Sequence, residues 1–248
     1  MPSPWRSVDV LETVDSTNLE AVRDPRPWRV VLAEHQSAGR GRMARQWEAP
    51  ARASVAVSCV LPANGPDLGW LPLLTGMAMS EALADVAGVS AGLKWPNDVL
   101  IGGDKVCGVL CELVAGSAVV VVGAGANVDQ RREELPVPTA TSLRLAGAEV
   151  TREDVIVAYL GRLAALHGQW REGGEALGRL RAAYRAGCVT LGQDVEVHRP
   201  AGEVVRGTAV AVDDGGQLVV EAGGCRVAHA AGDVVHVRGA SAGPPDTA

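Results

Sequence analysis

The sequence predicts an α/β unit built on a mixed sheet with flanking helices, followed by a small all-β unit. Two observations carry this reading. Up to Gly187, short β-branched runs alternate with segments of helical periodicity, the pattern of helices packed on a sheet. Residues 189–238 instead hold short strands, turn signals at Arg199-Pro200, Asp213–Gly216 and Gly223-Gly224, and no helical period, which fits a small β-barrel. The predicted organisation is therefore 1–187, 188–238 and a disordered tail at 239–248, GASAGPPDTA.

Each element has a local reason. Residues 28–34 (WRVVLAE) read as a strand entering the Gly/Arg loop HQSAGRGRMARQW, and residues 53–61 (ASVAVSCVL) as a second strand. A helix is predicted from Asp67 to about Val86, with Pro72 near its first turn and Leu73, Leu74, Met77 and Leu83 at helical spacing. The segment LKWPNDVLIGGDKVCGVLCELV predicts a hairpin that turns at Gly102-Gly103. Ala118–Val122 is apolar throughout, as a strand in the middle of a sheet is. Thr151 with Asp154 resembles a capping box opening a helix from about Arg152 to Trp170, whose Val155, Tyr159, Leu163, Leu166 and Trp170 face the core.

Composition excludes several function classes. The formal net charge of -6 argues against a dominant nucleic-acid or membrane-surface role, since both favour basic patches. No apolar run reaches membrane-spanning length, and the first residues, MPSPWRSVDVLE, lack the basic head and apolar stretch of a secretory signal, so a cytoplasmic setting is expected. The five cysteines form no CxxC pair, and Cys107 and Cys111 read as buried inert thiols. His35, His167, His198, His229 and His236 show no metal-ligand spacing, and no metal site is expected. Of the 23 Lys+Arg residues only Lys94 and Lys105 are lysines, and both fall in the 93–114 hairpin. A lysine is a compact point charge where arginine is a wide planar fork, so their clustering marks a place where arginine does not serve.

Four segments carry polar or glycine-rich residues that folding alone does not demand. In Asp15-Ser16-Thr17-Asn18, Asp15 or Ser16 caps a short helix running to Arg23; the hydroxyls and amide can also bind a small polar ligand. Gly39-Arg40-Gly41-Arg42, continuing to Arg45 and Trp47, combines glycines that expose backbone N–H groups with three arginines suited to phosphate oxygens. Lys94-Trp95-Pro96-Asn97-Asp98 leads to Lys105 and to Gly108, an in-strand glycine that marks close approach of a ligand. Asp98 is either a turn former or a carboxylate for a magnesium ion or an amine. The fourth, Val122-Gly123-Ala124-Gly125-Ala126-Asn127, imitates a dinucleotide fingerprint. It fails because Val128 stands at the third glycine position and the prolines of DQRREELPVP allow no long helix.

In this order and spacing, DSTN, EHQSAGRGRMARQW, KWPNDVL with KVCGVLCEL, and GAGANV resemble the catalytic domain of biotin protein ligases over roughly residues 9–185. The last fifty residues or so are similar to that family's SH3-like C-terminal domain. The resemblance implies a fold related to class II aminoacyl-tRNA synthetases, with ATP (as its magnesium complex) and biotin as substrates. It implies that Ser16, Thr17, Asn18, Gln36 and Gly108 line the biotin site. Arg40, Gly41 and Arg42 belong to a loop closing over biotin and the adenylate, and Lys105 touches the biotin carboxylate and the α-phosphate. Arg45, Trp47, Lys94, Asn97, Asp98 and Asn127 serve the nucleotide side. Lys105 and Arg42 are the residues implied in catalysis.

The implied reaction is attack of the biotin carboxylate on the α-phosphate, with loss of pyrophosphate, then transfer to a lysine of a biotin carboxyl carrier domain of an acyl-CoA carboxylase. Ala44 stands where the family usually has glycine. With DSTN starting at Asp15 there is no room for the helix-turn-helix of the family's repressor members, so no DNA binding is expected. The alternatives are a lipoate or octanoate ligase of related fold and a non-catalytic biotin- or nucleotide-binding regulator.

Overall fold

The computed structural model describes residues 4–199 and 202–237. The expected disordered tail, and part of the Arg199-Pro200 turn signal, lie outside the described residues.

The first unit contains, in chain order, β1 (Ser7–Val14), α1 (Thr17–Arg23), β2 (Arg29–Gln36), β3 (Gly39–Arg40), β4 (Gln46–Trp47), β5 (Ser54–Pro62), α2 (Trp70–Ala87), β6 (Gly92–Lys94), β7 (Asp98–Ile101), β8 (Asp104–Leu113), β9 (Val119–Asn127), α3 (Arg152–Glu172) and α4 (Gly174–Gly187). Seven strands form one mixed sheet in the order β1-β2-β5-β9-β8-β7-β6, in which only β1 and β2 run parallel. β3 and β4 make a separate two-stranded ribbon.

Strand β9 is longer than expected. The apolar run does not stop at Val122: the glycines of GAGAN continue it, and all nine residues pair with β5, from Val119 opposite Pro62 to Asn127 opposite Ser54. Because side chains alternate across a strand, the two faces read differently. Val120, Val122, Ala124 and Ala126 join the main core. Val119 and Val121 pack with Ala21 of α1, Val31 and Val60 on the opposite face. Beyond Val121 that second face carries Gly123 and Gly125 before it ends at Asn127, so over the glycines it is flush backbone.

Helices α2 and α3 cover the main-core face. The α2 helix starts at Trp70, three residues later than predicted, with Gly69 at its N-cap and Gly88 closing it in the left-handed conformation (φ 64°). It is buried nearly all round because the sheet, α3 and α4 enclose it. The Thr151–Asp154 capping box is present: the Asp154 N–H donates to Thr151 Oγ1 (3.1 Å) and the Thr151 N–H to Asp154 Oδ2 (3.2 Å). The expected core face of α3 is buried from Val155 to Trp170, and the helix runs two residues beyond Trp170. The turn at Gly102-Gly103 has positive φ at both residues (60° and 92°), as a tight two-residue hairpin requires. Burial pushes the Cys107 and Cys111 thiols up to about 12, in keeping with their inert reading. The short β3–β4 ribbon, read as a loop, escaped the sequence reading, and so did β1 and α4. The edge strand β1 is only half buried, and the glycine-bracketed α4 buries Ala176, Leu177, Leu180 and Tyr184.

The second unit comprises β10 (Asp194–His198), β11 (Val204–Val212), β12 (Leu218–Ala222), β13 (Cys225–His229) and β14 (Asp233–His236). They form one antiparallel sheet in the order β13-β12-β11-β10-β14. The expected barrel is not closed: the end strands β13 and β14 do not pair with each other. Two buried tryptophans tie this sheet to the first unit. The Trp70 indole donates to the Asp214 carbonyl (2.7 Å) and the Trp95 indole to the Gly216 carbonyl (2.9 Å). Arg185 of α4 donates to the Val212 carbonyl (2.7 Å).

The cap of α3 provides a test of this packing. We expect Thr151→Ala to cost about 1 kcal/mol, the usual worth of a side-chain N-cap, with no change of fold. Urea denaturation followed by circular dichroism measures it, and an unchanged midpoint would show that the box contributes nothing.

Candidate active site

The cleft opens on the glycine face of β9. It is lined by residues of the α1 start, the Gly/Arg loop, β7, β8 and β9. Its floor is flush because side chains are missing there: a β-carbon on Gly125 would lie 2.6 Å from the Trp47 ring, and one on Gly123 would lie 2.0 Å from Asn18 Oδ1. Gly108, on the neighbouring strand β8 and paired with Gly125, extends the floor. Its close neighbours are the Lys105 side chain and the Trp47 ring.

At one end stands the start of α1. Ser16 is the N-cap residue, yet neither its hydroxyl nor the Asp15 carboxylate caps the helix as expected from the sequence. Instead Gln36, at the end of β2, accepts from the Thr17 N–H (2.8 Å) and lies 3.1 Å from Thr17 Oγ1. Asp15 accepts from the Ser16 N–H and pairs with Arg23, which holds its carboxyl below the ordinary value. Asn18 donates to the Leu110 carbonyl (3.2 Å) and to Glu112 (2.9 Å), and the buried Ser58 hydroxyl donates to its Oδ1 (2.6 Å). Four residues of the sequence-predicted set, Ser16, Thr17, Asn18 and Gln36, thus form one polar wall, braced by Ser58 and Glu112, which the sequence did not single out.

The Gly/Arg loop lies over the cleft. Arg40 pairs with Glu112 (3.0 Å). Gly41 and Arg45 close the tip of the β3–β4 ribbon through a backbone bond of 2.7 Å. Inside it Met43 and Ala44 adopt φ of 54° and 58°. That left-handed region suits glycine, so Ala44 adopts it at some steric cost. The Arg42 guanidinium donates to the Gly232 carbonyl (3.1 Å) of the second unit, and its partial burial lowers its pKa. Arg45 pairs with Asp233.

The opposite wall is the β7–β8 hairpin. Lys105 Nζ lies 2.7 Å from Asp98 Oδ1 and 5.7 Å from the centre of the Trp47 ring. Asp98 therefore holds an amine, the Lys105 ammonium. The Trp47 indole N–H is buried and meets no partner among the described residues. Asn97 lines the cleft while its amide donates to the Val109 carbonyl (3.0 Å), closing the turn into β7.

Two predicted residues are not on the cleft lining. Lys94, on β6, stands opposite Asp98 in the β6–β7 ladder and is half-buried, where desolvation lowers its pKa against the pull of Asp98 and Asp233. Asn127 sits at the end of β9 with its amide committed: it donates to the Thr141 carbonyl and accepts from Gln130, both at 2.9 Å. Conversely, Asp233 lines the cleft although it stands far away in sequence. No local signal marks it, because only the packing of the second sheet brings it there.

Charge accounting shows what the cleft can bind. Arg40, Arg45 and Lys105 each face one carboxylate, from Glu112, Asp233 and Asp98, and Arg42 faces a carbonyl dipole. The cations are held in place yet exceed the acids by one, which suits an anionic ligand with a polar, uncharged end.

Comparison with known proteins agrees with this geometry. The biotin/lipoate A/B protein ligase family matches residues 10–129, and the biotin protein ligase C-terminal domain matches residues 190–237. The biotin–[acetyl-CoA-carboxylase] ligase of Mycobacterium tuberculosis is 40% identical, over 95% of this chain and 91% of that protein. The protein of the same name from Paracoccus denitrificans is 32% identical over 85% of this chain and 92% of its own length. Among solved structures, the biotin protein ligase of Aquifex aeolicus in complex with biotin and ATP superposes with a TM-score of 0.83 at 26% identity, covering 95% of this chain and all of that one. With the polar wall, the arginine loop and the Lys105–Asp98 pair in one cleft and relatives matched over nearly their whole length, the chain belongs to the biotin protein ligase family.

Proposed function

We propose that the protein activates biotin with ATP and transfers it to a lysine of a biotin carboxyl carrier domain of an acyl-CoA carboxylase. The observation that carries this reading is the Lys105–Asp98 pair, set in one cleft between a neutral polar wall and an arginine loop. Ser16, Thr17, Asn18 and Gln36 would take the ureido end of biotin, which offers neutral donors and acceptors rather than charge. Lys105, oriented by Asp98, would meet the biotin carboxylate and the α-phosphate, and stabilise the charge that grows on phosphate as pyrophosphate leaves. Arg40, Gly41 and Arg42 form the covering loop, which keeps water from the mixed anhydride. Arg45, Trp47 and Asn97 serve the nucleotide side, where the unpaired Trp47 N–H is a free donor. ATP enters as its magnesium complex, as substrate. Lys94 and Asn127 support the site from outside the cleft.

In the same reading the chain divides near 187/188 into a catalytic and a C-terminal unit, and the protein works in the cytoplasm. No helix among the described residues is long and apolar enough to cross a membrane.

Biotin-dependent ATP–pyrophosphate exchange, with lipoate and octanoate run in parallel, tests the function. Exchange with biotin alone supports it; exchange with another acid only, or with none in a folded sample, overturns it. In this assay Lys105→Ala is expected to abolish exchange and Lys105→Arg to lower it by roughly a hundredfold or more, the scale of losing an aimed charge in the transition state. Near-parental exchange in the arginine variant would remove Lys105 from the chemistry. Arg42→Gly is expected to free the adenylate early, seen as biotin labelling of bystander proteins. A variant that retains its adenylate as long as the parent would contradict the covering role of the loop.

A further inference from the structure

The loop that covers the cleft is anchored to the other unit of the molecule. Between Gly41 and Arg45 it makes two backbone bonds of its own, and its tip residue Met43 is 52% exposed. Its two arginine side chains both reach outward to a single turn of the second sheet. Arg42 donates to the Gly232 carbonyl and Arg45 pairs with the Asp233 carboxylate, across 190 and 188 residues of chain. That turn is itself held firmly. Asp233 pairs with His198 in the β10–β14 ladder, and a β-carbon on Gly232 would lie 2.7 Å from Val197. The sheet carrying it is fastened to the first unit by the Trp70 and Trp95 indoles. An exposed loop is thus tied to a well-held turn, and Asp233 also borders the cleft.

We infer that Asp233 is a positioning residue of the C-terminal unit that latches the arginine loop over the cleft by holding Arg45, with the adjoining Gly232 carbonyl holding Arg42. As a latch for adenylate retention it rests on the ligase reading; as a tether of the loop it stands without it. Removing the carboxylate should raise the open fraction of the loop and leave the core untouched. The pair is partly exposed, 59% and 36% at its two side chains, so the effect is modest. About a three- to fivefold change is the scale of such a pair.

The test is limited trypsin cleavage of the unliganded full chain, with fragments at Arg40, Arg42 and Arg45 read by mass spectrometry. Asp233→Asn should speed cleavage at these sites about three- to fivefold at unchanged Tm, and Asp233→Glu should restore the parental rate. Equal cleavage in Asp233→Asn and parent overturns the latch. If Asp233→Asn loosens the whole second sheet, Arg45→Gln releases the same tether from the other side. Faster cleavage after Arg40 and Arg42 alone then supports the proposal, and an unchanged rate overturns it. The functional arm is the lifetime of biotinyl-adenylate on the enzyme, which should shorten in Asp233→Asn. A parental lifetime alongside faster cleavage leaves a tether but overturns its role in retention. Failure of the parent to form any adenylate tells against the ligase reading and does not touch the cleavage result.

Discussion

On one face of β9 the residues change from valine to glycine halfway along, and the cleft exists because of that change. Under Val119 and Val121 the face is filled and α1 packs on it. At Gly123 and Gly125 it is bare backbone, onto which only the side chains of Asn18, at the start of α1, and Trp47 close in among the nearest neighbours. A strand of uniform valine would have been a better core element, since each buried methylene contributes about 0.8 kcal/mol. The glycines give up that burial and leave a floor onto which Asn18 from one side and Trp47 from the other can settle. The opposite face shows no such break, so the sheet keeps its attachment to α2 and α3 while opening towards solvent.

The electrostatics follow from this geometry. Unpaired cations in a half-buried cleft repel one another and are costly to desolvate. Here three of the four are paired, and the fourth, Arg42, rests on a carbonyl: Glu112 joins Arg40 to the Asn18 wall, Asp98 holds Lys105, and Asp233 holds Arg45. The partners fix where the positive charges point before any ligand arrives, which is what preorganised stabilisation of a developing anion requires. The arrangement also separates two chemistries. Neutral hydrogen-bonding groups gather at the start of α1, and charge gathers along the hairpin and the loop. A substrate with a neutral polar head and an acid at its far end would span the two.

The second sheet has more than a structural part in this arrangement. Its contacts with the first unit fall into two sets, one of buried indoles donating to the Asp214 and Gly216 carbonyls, the other of arginines reaching Gly232 and Asp233. The first set is rigid, and its donors are large buried rings. The second ends on an exposed loop whose backbone at Met43 and Ala44 is strained. One unit is therefore fastened to the other at a buried base and at an exposed tip.

The sequence by itself determined the order of most elements, the cap of α3, the Gly102-Gly103 turn and the identity of the family. These depend on neighbours within a few residues, on alternation and period, and on ordered motifs. It also identified Ser16, Thr17, Asn18, Gln36, Arg40, Arg42, Arg45, Trp47, Asp98 and Lys105, which one cleft brings together. Only the tertiary structure decided what each one touches. Gln36 takes the helix N–H that Asp15 or Ser16 was expected to take, because the end of β2 lies beside the start of α1. The amide of Asn127 is consumed by the 130–141 loop, a contact set by where that loop packs and not by the motif. Asp233 and Glu112 left no signal, since a carboxylate in a strand reads as surface until the fold sets a guanidinium against it. Contacts that span most of the chain come from packing two separate sheets together, and no local pattern carries that information.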